Sequence, residues 1–389
     1  MSGLWTVFSK EVKDNLRDRR TVLSSLGMAL LSPVLFMWLM SFVLEQAISD
    51  LEESVDLAVV GADNAPNLMA FLESNNVSPG EGPEDPEQAV KDRDHDVVLI
   101  IPDEYGERFE SGTPATLRLV YDSSRAKDSE KDYRRVRGLI RGYSQQVGNL
   151  RLQVRGINPA ITRPIQVDST NVASPSARAV SLLGVIPYFV IFSVFMGGFY
   201  LAIDTTAGER EQGSLEPLLA QPVARATLAL GKLLATAVFS AATLVLVLVA
   251  FSYAIEFVPL EQIGMSVEFG LDKVGTLFLG VLPLVLLAAS FMMIIASFTK
   301  SFKEAQTYLT FVILVPTMPL LIVAFLAPQP QMSNMAIPSF SQALIINEII
   351  KGESIAPELI GVSVISTLVI GLICSLVAIR LYQREGMLG

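Results

Sequence analysis

Cysteine and histidine are all but missing from this sequence, with one of each in 389 residues, Cys374 and His95. A single cysteine excludes any disulfide within the chain and leaves the redox compartment unread. One cysteine and one histidine make no Cys/His zinc set. His95 lies in the charged run "KDRDHD", where a solvated loop residue is expected. There is no G-x-S-x-G elbow. "LALGKLL" (228–234) contains a Gly–Lys pair, but it has no glycine five residues before Gly231 and no Ser or Thr after Lys232. It is therefore not a phosphate-binding loop. The chain offers no recognisable way to bind or hydrolyse ATP alone, and no catalytic constellation.

Charge is scarce as well. Only 17% of residues are charged and 51% are hydrophobic, with mean hydropathy +0.47; a soluble protein carries about 25% charged residues. Six apolar runs reach the roughly 20 residues that a helix needs to cross a bilayer: Thr21–Leu44, Ala179–Ile203, Leu228–Ile255, Val274–Phe298, Tyr308–Ala327 and Leu359–Tyr382. The first follows "RDRR", is too long for a signal peptide and lacks a small-residue cleavage site, so it reads as a retained anchor. The run centres lack ionisable residues; Glu45, Asp204, Lys232 and Glu256 sit near run ends. That argues against a proton-driven carrier with buried carboxylates. Pro33, Pro187, Pro283, Pro316 and Pro319 are expected to kink helices or to free backbone carbonyls.

Basic residues near membrane ends favour the cytoplasm. With six crossings, twelve lysines and arginines, from Lys10 to Arg384, fall on the side of both termini, against Lys273 and Lys351 in the short loops opposite. Both termini are expected in the cytoplasm of a bacterial cell, with residues 48–178 outside. "SVDLAVVGA" (54–62), "DVVLIIP" (96–102) and "ATLRLVYD" (115–122) read as strands. Asn67–Glu73, Asp103–Glu110 and Lys127–Val154 read as helices, the last with a stripe through Val136, Leu139, Ile140, Tyr143, Val147, Leu150 and Val154. "SPGEGPEDPE" (78–87) reads as a flexible acidic loop. The pattern as a whole is an α-helical polytopic membrane protein with an inserted extracytoplasmic α/β domain. Residues 1–20 form an interfacial helix, 21–47 the first crossing, and 179–389 the other five.

Within the first twenty residues Trp5, Phe8, Val12 and Leu16 recur at steps of three and four, as expected of an amphipathic helix at the membrane surface or against a partner. "PSFSQALIINEIIKGE" (338–353) is too short to span, so it is re-entrant or interfacial, with Phe340, Leu344, Ile345 and Ile349 as its apolar face. No solenoid period or inverted repeat is visible.

The remaining feature is "GEREQGSLEPLLAQPV" (208–223), a charged, proline-punctuated stretch inside the cytoplasmic segment 204–226. Gly213 breaks a helix, Ser214 is placed to cap a new one, and Pro217 falls in its first turn. Leu215, Leu218 and Leu219 then share one face. Such a stripe either enters a groove on a soluble partner or folds back on its own bundle.

This stretch resembles the motif E-R-E-x-G-[ST]-L-E-x-L-L-x-x-P-V of ABC-2 type permeases, and the arrangement of interfacial helix, first crossing, large insert and five further crossings is similar over essentially the whole length. The likeness is greatest to the sodium-efflux (Nat-type) branch. The resemblance implies a permease subunit working as a homodimer with a separate ATPase subunit, which holds the ATP and Mg2+. It implies that Glu209, Arg210, Glu211, Gly213, Ser214, Leu215 and Glu216, with Leu218 and Leu219, form the ATPase-coupling segment. No cofactor, metal or nucleic acid is expected on this chain. Three functional readings stand: Na+ efflux, export of a lipid or amphipathic drug, and a non-transporting scaffold or sensor whose outer domain binds a ligand.

Overall fold

The computed structural model describes residues 2–52, 54–124, 129–162, 164, 165, 168, 170, 173–267 and 269–383. The chain divides into two compact units, 1–45 with 172–389, and 46–171. Among the described residues, six helices are long and apolar enough to cross a membrane.

The chain opens with α1 (Ser2–Arg17) and α2 (Arg19–Glu52). Leu31, Leu35, Trp38, Leu39 and Phe42 of α2 point away from the protein. An apolar face of that size is tolerated in lipid and is a liability in water.

The inserted unit follows. Its strands are β1 (Val55–Val60), β2 (Val77–Glu81), β3 (Val97–Ile100) and β4 (Arg118–Tyr121), in the order β2-β1-β3-β4. β1 is parallel to β2 and β3, and β4 is antiparallel to β3. Helices α3 (Pro66–Glu73), α4 (Pro86–Asp92), α5 (Tyr105–Ser111) and α6 (Ser129–Val154) connect and cover them. One face of the sheet packs Leu57 and Leu99 against Leu68, Leu72 and Val136; the other packs Ala58 and Val98 against Val90 of α4. Each leucine so buried contributes about 1.5–3 kcal/mol.

Two expectations change here. The segment 78–87 is not a flexible loop: it supplies edge strand β2 and then α4, whose first turn Asp85 caps through the N–H groups of Glu87 and Gln88. Pro79 and Gly80 hide the strand in sequence, yet proline is tolerated at a sheet edge because no inner neighbour needs its missing donor. Of the α6 stripe only Val136 is buried; Leu139, Ile140, Tyr143 and Val147 are half-buried, and Leu150 and Val154 are exposed. Lys127, where that helix was expected to start, lies outside the described residues.

The membrane unit resumes with α7 (Pro175–Leu183) and α8 (Ile186–Ile203), so the second run is two helices separated at Gly184. α9 (Leu215–Leu219) precedes α10 (Arg225–Ala254), α11 (Leu271–Ser297), α12 (Phe302–Val312) and α13 (Leu314–Leu326). Short α14 (Phe340–Lys351) and long α15 (Pro357–Gln383) close the unit. The crossing that contains α8 is the central one. It is 72% buried, against 22% for the first crossing and 28% for each of the last two.

Close packing of α8 on α10 depends on small residues, since apolar burial alone does not drive helices together in lipid. A Cβ on Gly198 would lie 2.5 Å from Ser240 Oγ and 2.8 Å from Thr236 Cγ2. The hydroxyls of Ser193, Thr236, Thr243, Ser290 and Ser297 bond carbonyls of their own helices.

α14 departs from its expected single apolar face. Ser341 through Glu348 are all buried, so the helix is enclosed by protein on nearly every side. The Gln342 amide donates to Thr367 Oγ1 at 2.9 Å, and Ser363 Oγ bonds Ser341 Oγ at 2.8 Å, which knots α14 to α15.

Candidate functional site

At the end of α8 the helix widens into a π-helical turn, Asp204–Gly208, before one last turn, Glu209–Glu211. A π turn displaces carbonyls from the usual ladder. The Thr205 carbonyl accepts two side-chain bonds, from Lys232 Nζ at 2.8 Å and from the Tyr382 hydroxyl at 2.8 Å. Both side chains are fully buried.

Lys232 is the charge centre of this end of the bundle. Its ammonium lies 2.5 Å from Glu209 Oε2, in an ion-pair rather than a well-aligned hydrogen-bond geometry, and 3.7 Å from Glu11 Oε1. Lys10 on α1 adds a half-exposed cation 3.2 Å from Glu11 and 3.9 Å from Glu209. Burial alone would lower the Lys10 pKa. The Glu11, Glu209 and Asp14 carboxylates outweigh it and hold the ammonium above the ordinary lysine value.

The next two motif residues reach other helices. Arg210 donates through Nη1 to the Thr299 carbonyl at 2.7 Å, just past α11. Glu211 Oε2 accepts from the Phe302 N–H at 2.6 Å, at the first turn of α12. An anionic oxygen at a helix N-terminus is favoured by the unpaired donors there. The three consecutive charges of Glu-Arg-Glu thus fasten α10 and α1, the end of α11, and the start of α12.

Gly213 stops the helix with φ +68°. The Ser214 N–H bonds the Glu209 carbonyl and the Gly213 N–H bonds that of Arg210, a pairing that needs a left-handed residue at Gly213. Ser214 precedes α9 as expected, but its hydroxyl donates back to the Glu209 carbonyl instead of capping α9.

The leucine stripe divides between its two readings. Leu215 is buried among Ala229, Leu233, Met293, Ala378 and Tyr382, with Leu219 packed at the edge of that cluster. Leu218 is half-buried, and Glu216 and Pro217 are exposed. The stripe folds back on its own bundle because α9 is short and its turn points Leu215 inward; the face left open is Glu216, Pro217 and Leu218.

The apolar residues of α1 divide in the same way. Phe8 and Val12 pack against Leu201, Ala235 and Phe239, whereas Trp5 and Leu16 are exposed. The buried line runs through Val7, Glu11 and Asn15, spaced four residues apart, and the absence of a side chain at Gly231 admits Val7. Sequence reasoning missed Glu11, Lys232, Thr205 and Tyr382. The one available signal was Lys232, a lone lysine inside an apolar run.

A family model for ABC-2 family transporter proteins matches residues 23–380. The chain belongs to the ABC-2 transporter family. It is also 27% identical over 351 residues, 89% of each chain, to the ABC transporter permease protein NatB of Bacillus subtilis (strain 168). As an ABC-2 permease it is a multi-pass membrane subunit of an ABC transporter, with ATP hydrolysis assigned to a separate ATPase subunit. The scaffold reading does not survive that membership. In an ABC-2 permease, a turn tied to four neighbouring segments suits the transfer of motion, because it cannot shift without pulling on all of them.

Proposed function

We propose that this chain is the permease of an ATP-driven exporter that carries Na+ out of the cytoplasm. Two copies form the pathway, and ATP with Mg2+ is held by the partner ATPase subunits. Both termini and residues 204–226 face the cytoplasm, and the inserted unit faces outside; the support is the excess of basic residues beside the predicted inner ends. The sodium assignment is supported by the resemblance of the 208–223 motif and of the whole layout to the sodium-efflux (Nat-type) branch of ABC-2 permeases.

The observation that carries the coupling role is the fastening of Glu209, Arg210 and Glu211 to four neighbouring segments. The ATPase docks on the open face of the turn, through Glu216, Pro217 and Leu218. It shifts the equilibrium only if its closed form binds that face differently from its open form. The ion pairs of Glu209 then carry the shift to α1 and α10, and the hydrogen bonds of Arg210 and Glu211 carry it to the end of α11 and the start of α12. Inside-out vesicles holding both subunits should accumulate 22Na+ on ATP addition; ATP-independent accumulation would refute the assignment.

A second reading has its own support. An apolar cavity of about 530 Å³ lies between α10, α11 and α15, lined by Leu234, Val238, Leu282, Pro283, Leu286 and Leu368. Such a groove suits an acyl chain or amphipathic drug. ATP-dependent movement of a fluorescent lipid in the same vesicles, without 22Na+ movement, selects it.

A further inference from the structure

The C-terminal ends of three helices meet at one cavity of about 340 Å³: α7 at Gly184, α13 at Ala324 to Ala327, and α14 at Asn347 and Lys351. Helix C-termini carry partial negative charge on carbonyls without helical donors. One such carbonyl here has no helical partner by chemistry. The Ala324 oxygen would take its bond from residue 328, which is a proline and has no N–H. Gly184 leaves room beside it: a Cβ there would sit 2.9 Å from the Val180 carbonyl oxygen and 3.3 Å from that of Ala324. Two backbone oxygens therefore converge where a side chain is missing.

Asn347 supplies the independent observation. Its side chain is 3% exposed, lines this cavity, and holds an amide oxygen with no hydrogen-bond partner. An unpaired acceptor buried this deeply is costly unless something meets it. The cavity wall also includes Ala327, a non-glycine residue at φ +41°, and such strain gathers at ligand sites. The wall's one cation, Lys351, is 2.6 Å from Glu348 Oε1, and Glu353 adds a carboxylate. The Lys351 carbonyl is itself occupied by the Ser176 hydroxyl at 2.7 Å. Ala177, Val180, Val323 and Phe325 make much of the wall apolar, the oxygens named here are grouped at Gly184 and Asn347, and the lone ammonium is already engaged.

We propose that this cavity is a binding site for a desolvated monovalent metal cation, Na+, held by the Asn347 amide oxygen and by the carbonyls gathered at Gly184. Hard cations take oxygen ligands, and carbonyls replace their hydration shell. Helix C-terminal ends beside a short enclosed helix supply such ligands at membrane depth. The choice of Na+ rests on the sodium reading above; the site itself rests on the oxygens.

The test is equilibrium 22Na+ binding to the full chain in lipid nanodiscs, with K+ and tetramethylammonium as competitors. Wild type should bind saturably. Asn347→Leu, which keeps the volume and removes the oxygen, should weaken binding about tenfold or more. Asn347→Asp, which keeps an oxygen and adds charge, should retain binding and so control for folding. Gly184→Ala should weaken it by crowding the carbonyls. Wild-type affinity in Asn347→Leu overturns the site and leaves the sodium reading standing. No saturable binding by wild type, with ATP-driven 22Na+ movement intact, likewise overturns the site alone. Loss of both binding and movement overturns the two together. Displacement by tetramethylammonium but not by K+ overturns the metal assignment in favour of an organic ammonium.

Discussion

Replacing Lys232 with methionine removes the charge around which the Glu-Arg-Glu turn is built. Methionine keeps most of the side-chain volume, so the loss is electrostatic rather than a cavity. Three contacts go: Glu209 at 2.5 Å, the Thr205 carbonyl at 2.8 Å and Glu11 at 3.7 Å. The carbonyl keeps the Tyr382 hydroxyl, so its loss is partial. Two buried carboxylates are left facing each other. Stripping one partner from a buried ion pair costs about 3–5 kcal/mol. Lys10, still 3.2 Å from Glu11 and half exposed, offsets some of this, so the expected cost is near the lower end, about 3 kcal/mol. Against a typical total of about 5–15 kcal/mol, that is a large fraction. The assay is equilibrium unfolding of the full chain in mixed micelles, run as a double-mutant cycle with Glu209→Gln. The double variant removes both charges, so it should cost less than the sum of the two singles, with a coupling of about 2 kcal/mol. A Lys232→Met variant within about 0.5 kcal/mol of wild type, or a strictly additive cycle, would refute the account of Lys232 as a buried electrostatic centre.

Leu215→Asp and Leu218→Asp should separate, because Leu215 is buried and Leu218 is half-buried. The first should lower the unfolding midpoint sharply; the second should leave it near wild type but reduce permease-stimulated ATP hydrolysis, and equal behaviour in both assays contradicts the placement. Gly198→Ala should destabilise the α8–α10 contact by about 1–3 kcal/mol through overpacking against Ser240 and Thr236, read as a shifted unfolding midpoint. In the inserted unit, burial pushes the Tyr105 and Tyr143 phenols above their ordinary pKa. The folded form then keeps protons that the unfolded chain releases, so this stabilisation is present at neutral pH and declines as pH rises past about 10. In ultraviolet tyrosinate titration, Tyr105→Phe with Tyr143→Phe should remove two late-titrating groups from the wild-type curve.

The crossings were legible because the membrane imposes a one-dimensional rule: about 20 apolar residues in a row are enough to identify a span. Strands β1, β3 and β4 were legible because their β-branched runs end in turn residues. Strand β2 was not, since an edge position relaxes the constraints that make a strand recognisable, and Pro79 and Gly80 reside there. The face of α1 was misjudged for a related reason. Its partner surface is partly polar, so Glu11 and Asn15 are buried while Trp5 is exposed, and an amphipathic pattern assumes an apolar partner.

The Glu-Arg-Glu motif shows the same division. Its residues could be recognised, and Gly213 could be read as a stop, because a left-handed turn demands glycine locally. Which helix each charge reaches could not be read, since Lys232, Thr299 and Phe302 lie 23, 89 and 91 residues from their partners Glu209, Arg210 and Glu211.

By itself, then, the amino-acid order pointed to six candidate crossings, to the insert and to the stop at Gly213, all properties of short windows. The folded arrangement alone decided that Leu215 turns inward, that Lys232 gathers the motif, and that three helix ends leave a cavity at Asn347. Those outcomes depend on electrostatics and packing between groups far apart along the chain, and no local pattern encodes such distances.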